Sequence, residues 1–399
     1  MRPDRSHPQR DSNVRALRPE VPPPPAPRRQ MPDLTYLLVL AALVSIGLVM
    51  VYSTTAVDDG FAKFSSTVRQ MLTLGIPFML AGIFLPVHFW RKATLWLLFF
   101  TFLALLSLEI FHEPLVPMIN GAHRWIHIPG LPNIQPSEFA KLAFILFAAA
   151  FLERRGQKME LGDWATFLAV LGGFAGIIYL EPDLGTALVL AGTAFCMLIA
   201  AGVRTRALLA LAVAAAVMVA GLAWNTSHQQ QRLKAWWNPW AEEYRMEGGY
   251  QVTQSWLAMA RGGWWGVGLG RSVQKLDNHL PEPDTDFIFA IVAEEMGLVR
   301  SVVVLWLFTL LAWRGYAIAA RAPDRYTGLV VTGVTSWIAV QSGLNIAVVT
   351  GTLPNTGVPL PFISAGGSSL LSLMAATGLI IGLSCWSRPG AKPANVLER

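Results

Sequence analysis

Acidic residues crowd one short stretch of an otherwise apolar chain. In Leu280-Pro-Glu-Pro-Asp-Thr-Asp-Phe-Ile-Phe289, Glu282, Asp284 and Asp286 stand at alternate positions just before an apolar run, which Glu294 and Glu295 then interrupt. A carboxylate beside an apolar segment is suited to abstracting a proton, so Asp286 is the candidate general base. It also suits the N-cap of a helix beginning near Phe287, and the two readings stand side by side. Asp284 and Asp286 are the only candidate ligands for a divalent cation, Mg or Mn, and no organic cofactor is expected.

Other ionisable groups lie within or at the ends of apolar segments, where charge is costly and functional by default. Glu138 and Lys141 are three apart, share a helix face and can pair; they read as a cap with a self-satisfied ion pair or as part of a site. In Glu181-Pro-Asp183, Asp183 reads as a helix cap or as a partner for a cation such as Lys141 across a cavity. Arg124, Arg232, Lys234 and Lys275 are cations in connecting segments. The stretch from Thr350 to Ser369 is uncharged and rich in Gly, Pro and hydroxyls. Such irregular backbone is tolerated near membrane depth only when buried in protein or lining a cavity. Within it Ser364, Gly366 and Gly367 are candidate ligand contacts, the glycines through backbone N–H groups that suit an anion.

The elements that must position these groups are membrane helices. The chain has 399 residues, 53% hydrophobic and only 14% charged, with a mean hydropathy of +0.45. Soluble domains carry about 25% charged residues. Two cysteines exclude a disulfide framework and a multi-cysteine zinc site. Apolar stretches of spanning length fall at Leu34–Tyr52, Met71–Phe89, Ala93–Phe111, Phe139–Leu152, Ala165–Leu180, Leu184–Ala201, Ala207–Trp224, Ser301–Tyr316, Thr327–Thr350 and Ser368–Trp386, the eighth reaching back toward Asp286–Met296. The expectation is an all-α polytopic membrane protein with about ten transmembrane helices. Alternating them puts Arg91, Lys92, Arg154, Arg155, Arg204, Arg206, Arg314 and Arg321 on one side, which favours N-in, C-in topology. A large extracytoplasmic loop, residues 225–285, then lies between helices 7 and 8. Residues 1–32 read as a disordered, basic, Pro-rich cytoplasmic tail, 33–387 as the transmembrane domain and 388–399 as a cytoplasmic C-terminal tail. The positive charge is accounted for by the positive-inside rule, and no nucleic-acid partner is expected.

These motifs resemble the SEDS family (shape, elongation, division and sporulation proteins), which includes FtsW, RodA and SpoVE. The matching stretches are Gln135-Pro-Ser-Glu-Phe-Ala-Lys141, Pro182-Asp-Leu-Gly-Thr186, Gly249-Tyr-Gln-Val-Thr-Gln-Ser255, Gly266-Val-Gly-Leu-Gly270, Leu280 through Phe289, Ala293-Glu-Glu-Met-Gly297 and Pro359 through Ser369. They occur in the family's order over roughly residues 34–386. Pro239-Trp240, Ser272 through Lys275, and Thr350 through Gly357 lean toward the FtsW branch. Asp284 stands where the family usually has His, and Ala365 where it usually has an aromatic.

The resemblance implies a peptidoglycan glycosyltransferase that polymerises lipid II into glycan strands at the outer face of the bacterial cytoplasmic membrane. It further implies septal wall synthesis, with elongation as the variant, and maps the family's proposed catalytic aspartate onto Asp286. Partners would be lipid II, the growing glycan, a class B penicillin-binding protein and other divisome or elongasome membrane proteins. The chemistry then needs a base, a positive field for the departing pyrophosphate and a groove for the lipid tail. Asp286 would be the base; Arg124, Arg232, Lys234 and Lys275, with a divalent cation, would supply the field. Glu138, Lys141 and Asp183 would shape the groove, with Glu282 at its boundary, while Tyr250, Gln251 and Trp256 position sugars or the loop. The competing readings are a lipid II flippase or transporter and a non-catalytic divisome scaffold. A transporter would place its charges near the midplane, whereas here they favour the outer side.

Overall fold

The computed structural model describes residues 28–29, 31–55, 62–111, 113–119, 122–129, 132–225, 227–243, 248–275, 280–281 and 283–387. Glu282, the C-terminal tail and most of the N-terminal tail lie outside them. Among the described residues the chain is helical apart from two isolated bridges and a two-residue ladder. In that ladder β1 (Arg28–Arg29) runs antiparallel to β2 (Trp386–Ser387). Arg28 and Arg29, which fall within the stretch read as a disordered tail, pair there with the C-terminal segment.

Each of the ten expected spans falls on helix. They are α1 (Leu34–Thr55), α2 (Ala62–Gln70) continuing through a π segment (Met71–Gly75) into α3 (Ile76–Phe84), α4 (Val87–Ile110), α5 (Pro136–Arg155), α6 (Leu161–Leu180), α7 (Leu184–Ala200), α8 (Thr205–Asn225), α11 (Ile288–Arg321), α12 (Arg325–Val349) and α13 (Gly367–Ser384). Seven of these segments are long and apolar enough to cross a membrane, and two shorter apolar helices lie at Leu184–Ala200 and Thr205–Gly221. α5 has spanning length but carries its charges at both ends. The large loop contains two more helices, α9 (Ser227–Trp237) and α10 (Gly248–Gly262).

The junction between the second and third spans differs from the sequence reading. The second span stops at Phe84 rather than Phe89, and the third starts at Val87 rather than Ala93. Pro86 lacks an N–H and pushes Leu85 into extended backbone, with ψ 129°. The eighth span does reach back: α11 begins at Ile288, but Gly297 (φ 79°, ψ 173°) breaks it into a buried upper half and a longer lower half. The freed backbone groups are taken up by the glycine-rich segment after α10. Val267 and Gly268 N–H donate to Glu294 and Glu295 carbonyls, and Leu298 and Val299 N–H donate to Gly263 and Trp264 carbonyls. A Cβ on Gly297 would lie 2.3 Å from the Gly266 nitrogen, so glycine is required for its φ and for the contact.

The core lies where α5, α7, α12 and the upper half of α11 meet α13, while α3, α4 and α6 keep much of their surface exposed. α3 lies along α13, and α4 along α5. The α3–α13 contact is made close by small residues, a common device of membrane helices. A Cβ on Gly378 would lie 2.2 Å from the Met79 carbonyl oxygen, and one on Gly382 2.6 Å from that of Ile83. At the end holding both described termini, Asp33 caps α1 through Tyr36 N–H and receives Arg314 of α11 at 2.5 Å. Gly378→Ala is expected to lower stability by about 1–3 kcal/mol, against little change for Gly176→Ala, where nothing lies within 4 Å. Thermal unfolding in detergent reads the difference.

Candidate active site

Asp286 sits at the loop end of the bundle, two residues before α11 begins. The N-cap position of α11 is Phe287, one residue after Asp286. The short segment is held from several sides. Asn345 of α12 donates its amide to the Asp286 carbonyl at 2.7 Å and to the Val358 carbonyl at 2.7 Å. Ser364 Oγ donates to the Thr285 carbonyl at 2.6 Å and accepts from Leu360 N–H, and Ala365 N–H donates to the Asp284 carbonyl. Ser364 therefore positions Asp286 through the backbone. Gly357 (φ 72°) leaves room above the carboxylate, since a Cβ there would lie 3.5 Å from Asp286 Oδ2.

Three further groups converge on this point. Arg232 of α9 reaches the Asn355 carbonyl at 3.4 Å. Burial first, then Arg124, pulls the Arg232 pKa down, while Asp286 and Asp183 push it back up; the four charges lie within electrostatic reach. Arg124 donates to the Glu181 and Pro182 carbonyls at 2.8 and 2.6 Å. Asp183 accepts from Thr186 N–H at 2.9 Å, capping α7, and lies 3.4 Å from the Gln135 amide. The bundle thus presents the Asp286 carboxylate within electrostatic reach of Arg232, which also feels Arg124 and Asp183. The loop around Asn355 joins the halves: Asn355 bonds Gln251 of α10 at 2.6 Å, and Thr356 packs on Gly185 at the start of α7.

Other candidates take different places. Lys141 is corrected as a partner of Asp183: its ammonium bonds Glu138 at 2.8 Å and Gln341 at 3.0 Å and stacks on the Trp337 ring. Glu138 also receives Ser372, and both charges are 1% exposed. This is the self-satisfied pair, and it ties α5, α12 and α13 together below the site. Lys275 is corrected as part of the positive field. Its ammonium is 1% exposed and committed to Glu295 at 2.7 Å and to Ser53. Glu294 and Glu295 accept from the Ser272 N–H and hydroxyl and the Val273 N–H, so this cluster staples the 225–285 loop to α1 and α11. Lys234 is exposed and, with Leu233, Trp236 and Trp237, lines an open pocket of about 500 Å³ next to Arg232. Tyr250 is half-buried in the first turn of α10 beside Gln251. Gly366 and Gly367 open α13, where Ser368 ties that end to Asn133 and Gln135.

The donor set was tested for a cation. Asp284 pairs with Lys63 at 2.5 Å rather than joining Asp286, and among the described residues no three His, Cys, Asp or Glu side chains are grouped to hold a metal ion. Asp284 and Asp286 therefore do not form part of a three-ligand group among the described residues. Asn345, Asn355 and Gly357 were missed as positioning groups. Gln341, Ser342 and Asn345, polar residues on one turn of an apolar helix, were the signal.

The "Cell cycle protein" family model covering FtsW, RodA and SpoVE matches residues 33–388. This chain belongs to that family. It is a multi-pass membrane protein and a glycosyltransferase. Among its relatives, stage V sporulation protein E of Bacillus subtilis is 39% identical over 90% of this chain and 99% of that protein. A probable peptidoglycan glycosyltransferase FtsW of Dichelobacter nodosus is 38% identical over 90% of this chain and 92% of the relative. A solved chain from work on a peptidoglycan synthase complex superposes with TM-score 0.74 at 26% identity, covering 88% of this chain and 97% of the other. Thermus thermophilus RodA superposes at 0.66, also 26% identical, over 88% and 96%.

Lys275→Met is expected to cost about 3–5 kcal/mol, because it leaves Glu295 buried and unpaired. Thermal unfolding should show the loss, and pairing it with Glu295→Gln should restore part of it.

Proposed function

We propose that this chain polymerises lipid II into glycan strands at the outer face of the bacterial cytoplasmic membrane, for septal wall synthesis. The observation that carries this reading is Asp286 held by its own backbone within electrostatic reach of Arg232, which in turn feels Arg124. The proposed topology is ten spans with both termini inside, so that the Asp286 end, α9 and α10 face outward.

The reaction divides between these groups. The Asp286 carboxylate removes the proton of the acceptor sugar hydroxyl as its oxygen attacks the anomeric carbon of the donor. The bond from that carbon to the lipid-linked diphosphate breaks, and the electron pair leaves with the diphosphate. Arg124 and Arg232 stabilise the negative charge that collects there. A diphosphate is a good leaving group, so no general acid is required. The isoprenoid tail stays in the bilayer, where two-dimensional diffusion and tail orientation supply proximity. No step needs a protein-held metal.

The partner we propose is a class B penicillin-binding protein, whose transpeptidase would cross-link the strands made here. The synthase-complex neighbour supports that pairing. Purified chain, with and without its cognate partner, should convert lipid II into glycan ladders. Asp286→Asn should insert normally and lose on the order of 10²–10⁴-fold in rate. Unchanged polymerisation by that variant would remove Asp286 as base. Translocation of lipid II without polymer would favour a flippase.

A further inference from the structure

Glu181 is a charge the mechanism does not use, and its placement is unusual. It ends α6 in the Glu181-Pro-Asp183 turn, outside the helix, and is 2% exposed. Both of its carboxyl oxygens are buried without a hydrogen-bond partner. Arg124 is bonded to the same residue, but through the backbone: the guanidinium donates to the carbonyls of Glu181 and Pro182. Arg124 is therefore held in place by neutral oxygens. Asp183, the other carboxylate in the turn, is engaged by Thr186 N–H.

A buried carboxyl with no donor is costly to ionise. The charged groups around it are Asp183 in the turn, Glu109 at the end of α4 and Arg124 in the α4–α5 connection. Burial, then Asp183, then Glu109 push Glu181 up to about 9, with Arg124 pulling the other way. At neutral pH the side chain is the uncharged acid.

We infer that Glu181 tunes the positive field that Arg124 offers to an anionic substrate: neutral, it leaves Asp183 as the one carboxylate of the turn opposing that field, and ionised, it would add a second negative charge and weaken it. The inference rests on the proposed use of Arg124 against the lipid-linked diphosphate. Glu181 is a positioning residue in this scheme, acting on the substrate only through Arg124. Its effect belongs in substrate binding rather than in proton transfer.

The test is lipid II polymerisation by the full chain with its partner, from pH 7 to pH 10, for wild type and Glu181→Gln. Wild type should show a KM rising on the order of tenfold between pH 8 and pH 10 as one group titrates, with kcat unaffected by that titration. Glu181→Gln should match wild type at pH 7 and lack that rise. If the amide variant does not fold, Glu181→Leu, equally unable to ionise, takes its place. An identical alkaline rise in the variant overturns the inference, as does loss of activity in the variant at pH 7. Infrared titration gives a readout besides turnover: the protonated-acid carbonyl band present in wild type at pH 7 should be missing from the variant. If wild type makes no polymer at any pH, the proposed reaction fails, and the infrared titration still decides the charge of Glu181.

Discussion

The side-chain amide of Asn345 is the tie on which the site depends. From the middle of a buried turn of α12 it donates to two carbonyls at once, those of Asp286 and Val358. Both belong to irregular backbone, and irregular backbone far from water must have its polar groups satisfied. One residue thereby fixes the segment carrying the carboxylate and the segment that roofs it. Once Val358 is fixed, Thr356 can seat on Gly185 and Asn355 can meet Gln251 and Arg232. Arg232 and the Asp286 carboxylate owe their proximity to that sequence of contacts.

Beneath this layer, buried charges hold the helices in register. Glu138 and Lys141 satisfy each other and recruit Gln341 and Ser372. Glu295 and Lys275 do the same for the outer loop and Ser53 of α1. Asp33 and Arg314 close the opposite end. Replacing such pairs with apolar residues can be neutral, so their value here is geometric: each pair admits one arrangement of the helices it joins. The charges left for chemistry are those whose partners are backbone carbonyls, as with Arg124.

Much of this was legible in the sequence because the signals were local. Apolar length placed each expected span on helix, though not the polar α9 and α10, and the Gly-Pro-hydroxyl stretch from Thr350 to Ser369 was recognisable as irregular backbone near the site. Asp286 stood out because its acidic neighbours break an apolar pattern. What escaped was pairing between distant segments. Nothing local distinguishes Lys275, which closes on Glu295, from Arg232, which stays near Asp286; both are cations in the same loop. The same limit left Lys141 with two candidate partners, Glu138 and Asp183, of which the structure shows the nearer one bonded. Helix ends near Pro86 shifted because hydropathy runs on through a residue that cannot continue a helix.

The seam at Gly297 constrains how the chain can vary. α11 is joined there to the segment after α10 almost wholly by main-chain bonds, with glycines at 262, 263, 266 and 268. Main-chain bonding is indifferent to side-chain identity, so exposed positions such as Trp264 and Trp265 are free to drift over evolutionary time. The tightly packed glycines are not, because any added carbon at Gly262, Gly266 or Gly297 would strike backbone that has no rotamer to yield. Divergence across this join should therefore read as changing aromatics set between unchanging glycines.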